Sequence, residues 1–98
     1  MFIRIVKLTF EDSFIEQFQI NFENQKDKIK GFKGCLHLEL LQDKDCRNRF
    51  FTYSHWDKEE SLENYRNSEL FKGIWAITKP HFIEKPEAWS VDRKKIVD

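Results

Sequence analysis

Apolar and polar positions alternate along "FIRIVKLTF", and the β-branched residues among them predict a first strand over residues 2–10. The period then lengthens. Phe14, Phe18, Phe22 and Ile29, with Ile15, fall on one helical face, and Gly31 is placed to end that helix. Ser13 followed by Glu16 reads as a capping box, which sets the first helix at about residues 13–30. "GCLHLELL" predicts a second strand over 35–41, "QDKDCRNR" a polar turn, and "FFTYSHW" a third strand over 50–56. So short a connection makes these two an antiparallel hairpin.

Asp57 and Glu60 form a second capping-box pattern, opening a short helix that runs to about Arg66. Ser68 starts another, with Leu70, Phe71, Ile74, Trp75 and Ile77 on its apolar side, and Pro80 should end or kink it. After Pro86, "AWSVD" predicts a last strand over 88–92. The order β-α-β-β-α-β is ferredoxin-like: an α+β fold with a four-stranded antiparallel sheet, helices on one face, and the second helix split in two. The other face of the sheet poses a problem. Large apolar groups occupy both alternating sets on strands two and three: Leu36, Leu38 and Leu40 against Cys35 and Leu41, Phe50 and Trp56 against Phe51 and Tyr53. A free subunit should show a polar outer face. The expectation is a homodimer, the sheet face covered by a second copy across a two-fold axis.

Composition sharpens this picture. The 98 residues are expected to form one domain, 1–98, of modest core, combining 35% charged residues with 15% aromatics, ten of them Phe. Much of the core must therefore be rings, walls that suit a flat, ring-shaped ligand. The 17 basic and 17 acidic residues cancel, so no global field draws nucleic acid or an anionic membrane. The basic runs "DKIKGFK" and Arg93-Lys94-Lys95 read as solvated faces. No stretch approaches the ~20 apolar residues of a membrane span. The start reads as a strand, with neither the apolar run nor the cleavage site of a signal peptide. Cys35 and Cys46 are separated by roughly seven strand residues at ~3.3 Å each, beyond disulfide reach. Reduced thiols fit a cytoplasmic protein.

Tyr65 and Trp75 lie on successive short helices, a spacing that allows both to face one cavity. They would there clamp an aromatic substrate, Tyr65 bonding its oxygen; the alternative is that both are packing. Trp56 ends a strand beside a helix start, where it plugs the sheet. His37, between Leu36 and Leu38, has the titration range of a general base, against the alternative of a satisfied interface histidine. Cys35 and His37 would share a strand face, yet with His55 and His81 they supply no converging set of three or four ligands, so no metal is expected. No GxGxxG, P-loop, GxSxG or CxxC occurs, which leaves nucleotide-cofactor, serine-hydrolase and dithiol chemistry unsupported.

The element order, the glycine-ended first helix running into "GFKGCLHLELL", and the pattern Trp56-x5-Leu62-x2-Tyr65-x2-Ser68-x2-Phe71 resemble the antibiotic biosynthesis monooxygenase (ABM) family of dimeric α+β barrels. The resemblance covers nearly the whole chain. It implies a pocket between each subunit's sheet and its helices. Similar members oxygenate quinols and polyketide anthrones without metal or flavin, and others degrade heme. The heme degraders use an Asn, a Trp and an iron-ligating His at places held here by Val6, Tyr65 and Trp75. Quinol-type members often carry His where Tyr65 and Leu70 stand.

These readings combine into one expectation: a cofactor-independent monooxygenase for a small quinol- or anthrone-like compound. Tyr65 and His37 would serve the proton step, with Trp75, Trp56, Phe18, Phe22 and Val6 as walls. A non-catalytic small-molecule-binding or stress-related domain of the same fold is the alternative, and heme handling a third.

Overall fold

The computed structural model describes residues 1–98. Strand β1, Phe2–Thr9, is followed by a 3-10 turn at Asp12–Phe14 and helix α1, Ile15–Lys30. The hairpin β2, Cys35–Gln42, and β3, Arg49–Trp56, leads to helices α2, Glu59–Arg66, and α3, Glu69–Thr78. A second 3-10 turn, Lys79–His81, precedes β4, Glu87–Val91. Every strand pair is antiparallel and the sheet order is β2-β3-β1-β4, the ferredoxin-like arrangement expected, with the second helix split.

The helix starts differ from the capping boxes expected. Ser13 and Glu16 do not cap α1: the chain enters it through the 3-10 turn, and Phe14 at the N-cap position makes no side-chain cap bond. Burial of the Phe14 ring against Phe10, with centroids 5.1 Å apart, fixes the entry instead. Nor does Asp57 cap α2, whose N-cap is Lys58. The Asp57 carboxylate accepts from the Ser61 hydroxyl, which holds it below the usual carboxylate range. Ser68 does cap α3, its Oγ accepting from the Phe71 N–H at 3.1 Å. The inward stripe of α3 is Phe71, Ile74, Trp75 and Thr78, at i, i+3, i+4 and i+7; Ile77, expected on that side, is turned outward. Pro80 sits in the turn that closes α3.

A β-bulge at Leu36 corrects the reading of β2. Cys35 pairs with Trp56 on the helix side, yet His37 pairs with His55, so one extra residue lies between the two pairings. Leu36 takes up that residue and is exposed, and the side-chain alternation restarts after it. Leu38 and Leu40 therefore share the inner face with Cys35, while His37, Glu39 and Leu41 face outward. Cys35 and His37, expected on one face, lie on opposite ones.

Two buried clusters sit between sheet and helices. Leu8, Phe10, Phe14, Phe18 and Phe50 form one; Phe2, Cys35 and Trp56 form the other. Both thiols are free, with Cys35 buried and Cys46 in the β2–β3 loop. The outer sheet face carries Ile5, Phe51, Tyr53 and Trp89 in neighbouring register positions, and Leu41 and Trp89 on it are more than 40% exposed. No helix is long and apolar enough to cross a membrane.

Candidate functional site

A cavity of about 390 Å³ lies under the helices and is lined by members of both clusters, Leu8 and Phe18 of the first and Trp56 of the second. Its floor is the inner face of the sheet, with Val6 of β1, Leu38 of β2 and Thr52 of β3. Phe18 and Phe22 of α1 wall one part; Tyr65 of α2 and Phe71 and Trp75 of α3 wall another. Trp56 closes the strand end.

Six of the seven residues singled out in the sequence therefore line one space: Tyr65, Trp75, Trp56, Phe18, Phe22 and Val6. Trp75 packs on the first buried cluster and Tyr65 on the second. Phe71 links them, its centroid 5.3 Å from Tyr65 edge-on and 5.8 Å from Trp75 in a stack. Trp56 is nearly fully buried, its Nε1–H donating to Ser54 Oγ at 3.0 Å, so its polar tip is spent inside the fold. Trp56 is core that shows one edge to the cavity, whereas Tyr65 and Trp75 are only partly covered.

His37 is the exception. The bulge turns it to the outer face, where it meets Glu39 at 2.6 Å and the His55 ring at a 4.7 Å centroid distance. It is not part of the cavity lining. His81, in the turn after α3, stacks on Phe14 at 3.8 Å and pairs with Glu11, also away from the cavity.

The cavity's titratable groups are consequently few: Tyr65, Arg4, Arg66 and Glu87. Burial pushes the Tyr65 phenol up to about 12, so at neutral pH it is a hydrogen-bond donor rather than a base. Glu87 is already engaged by Lys7 Nζ at 3.2 Å. The two arginines escaped the sequence reading. Arg4 belongs to the alternating pattern of β1 and Arg66 to a charged helix, so neither looked unusual until folding brought them to one wall. An arginine at an inward position of a half-buried strand was the available signal.

The antibiotic biosynthesis monooxygenase family model matches residues 1–76. The chain belongs to that family. A solved antibiotic biosynthesis monooxygenase superposes with a TM-score of 0.90 at 16% identity, covering 97% of this chain and 100% of that one. A protein of Methanosarcina mazei Go1 gives 0.87 at 19% identity over 96% of this chain and 94% of its own. At such identities the likeness shows the shared fold. In sequence, a staphylobilin-producing heme oxygenase of Staphylococcus epidermidis is 28% identical over 74 residues, covering 74% of this chain and 70% of its own length. This ABM chain thus keeps the family's architecture and a ring-walled cavity. It holds neither histidine nor cysteine in the cavity lining.

Proposed function

We propose that this ABM protein is a cofactor-independent monooxygenase for a small aromatic of quinol or anthrone type, bound between sheet and helices. The observation that carries the reading is the cavity: ring walls on several sides, with Tyr65, Arg4 and Arg66 among its polar groups. All three donate hydrogen bonds or carry positive charge, a set that favours the phenolate or enolate form of an acidic aromatic. That electron-rich anion passes an electron to oxygen, and the radical pair recombines at carbon. For an anthrone methylene, one oxygen atom becomes the new carbonyl and the other leaves as water with both hydrogens. No outside reductant is needed. Tyr65 hydrogen-bonds the substrate oxygen, while the role in the proton step expected of His37 has no support from its outward position.

Oxygen uptake by the purified, metal-free and flavin-free protein with a panel of quinols and anthrones tests this. Stoichiometric uptake that depends on the protein supports the proposal. Binding of the same compounds without uptake would leave the non-catalytic binding domain as the correct reading.

The heme oxygenase relative motivates a second reading, heme as the substrate. Trp75 stands where heme degraders place their iron-ligating His, and an indole nitrogen has no lone pair for iron. The cavity groups of ligating type are the Tyr65 phenol, whose raised pKa opposes the phenolate a metal requires, and the Glu87 carboxylate, which Lys7 engages. A heme titration is expected to give no Soret shift.

Assembly belongs to the same proposal. A second copy would cover Trp89, Leu41 and Tyr53 on the outer face and bury His37 and His55 with them. The two free thiols suit the reducing cytoplasm.

A further inference from the structure

Arg4 projects from β1 onto the inner face of the sheet and Arg66 from the last turn of α2, and both line the aromatic cavity. Arg4 Nη1 donates to Ser90 Oγ at 3.0 Å, but its Nε is buried with no hydrogen-bond partner. Neither guanidinium makes an ion pair. Arg49 offers the contrast within the same molecule. Its Nε is also buried and unpartnered, yet Asp43 at 3.4 Å and Glu84 at 3.6 Å supply it with carboxylates. Around the cavity the only carboxylate is Glu87, and Lys7 holds it.

A guanidinium beside apolar rings without a counter-charge is unfavourable, and a second one nearby makes it more so. Burial and the charge of Arg66 both press the Arg4 pKa downward, in line with an uncompensated pair. Arg4 thus leaves a buried donor with no acceptor in the fold, and Arg66 adds a second, exposed guanidinium that no carboxylate of the fold engages. A planar oxyanion matches that need, since a carboxylate accepts from the guanidinium fork in bidentate fashion.

We infer that the ligand of this cavity is an aromatic carboxylate, its rings lying against Trp75, Phe71 and Val6 and its carboxylate held by Arg4 and Arg66. The inference rests on the aromatic-pocket reading above and narrows its substrate class to acids. Arg4, fixed through Ser90, is the deeper anchor. Arg66, on the exposed side of α2, completes the clamp at the rim.

Naphthoic acid and its neutral amide, naphthamide, share rings and shape and differ in charge. Their binding to the intact protein is read by quenching of tryptophan fluorescence. Naphthoate should bind about tenfold or more tightly than naphthamide at low ionic strength, as expected for charge-assisted bonds, and added salt should narrow the gap. Arg66→Gln, at an exposed position, should reduce the preference, and Arg4→Gln should abolish it, each lowering naphthoate affinity far more than naphthamide affinity. Equal binding of acid and amide by the unaltered protein overturns this inference and leaves the aromatic pocket standing. A preference that survives both substitutions also overturns it. Failure of both compounds to bind overturns the pocket reading together with it.

Discussion

Tyr65 and Trp75 pack on different buried clusters, yet they share one cavity and are joined along its helical wall by the single ring of Phe71. The rings of the split second helix thus touch both clusters and border the space between sheet and helices.

Tyr65→Phe separates the hydroxyl from the ring. The ring keeps its contacts with Phe32, Trp56 and Phe71, all at 5.3 Å between centroids, so thermal stability should change little. Loss of one hydrogen bond to a bound anion, worth about 1.5–3 kcal/mol, should lower kcat/KM for oxygen uptake by roughly ten- to a hundredfold. An unchanged rate would remove Tyr65 from the chemistry and leave it as wall.

Gly34 is expected to tolerate no side chain. Its φ of 93° lies in the left-handed region, and an added methyl would overlap the Ser61 side chain and come within 2.7 Å of Asp57 Oδ1. Gly34 O accepts from the Asp57 N–H at 2.9 Å, and this close approach joins the start of β2 to the turn that opens α2. Gly34→Ala should cost about 2–4 kcal/mol from strain plus overlap, read as a lower urea midpoint with an unchanged slope.

The strand and helix order was legible because period two and period 3.6 alternate cleanly along the chain and Gly31, Ser68 and Pro80 mark boundaries. The candidate walls were legible too, since large rings at inward positions have few other places to go. What escaped was set by single-residue events. The Leu36 bulge inserts one residue, which moves His37 to the outer face, and alternation alone gives no sign of it. The capping boxes failed because other contacts, the Phe14 ring on Phe10 and the Ser61 hydroxyl on the Asp57 carboxylate, took precedence over a cap bond worth about 1 kcal/mol. Arg4 and Arg66, 62 residues apart, acquire meaning only when the fold brings them to one cavity.

The outer sheet face yields a prediction on assembly. Trp89 is 44% exposed in the isolated subunit and sits opposite Ile5 in the register. Light scattering should give the mass of two chains for the unaltered protein. Trp89→Glu, placing a charge in that apolar face, should give one chain, with the far-ultraviolet circular dichroism unchanged. A Trp89→Glu protein that remains dimeric would mean that the copies meet elsewhere.

His55 on that face makes stability depend on pH. His55 lies among His37 and Glu39 of β2, Tyr53 of its own strand and Arg93 after β4. Burial, then the charges of His37 and Arg93, hold its pKa below the ordinary 6.5, with Glu39 opposing them. The unfolded chain therefore takes up a proton on His55 at a pH where the folded chain does not. Stability from this group is fully present above about 6.5 and is lost as the pH falls toward the depressed folded value. Below that value both states are protonated and the loss stops. Urea midpoints measured from about pH 8 down to 5 should decline through the acid half of that range, and His55→Gln should flatten the decline. A slope that His55→Gln leaves untouched would assign the acid sensitivity to other groups.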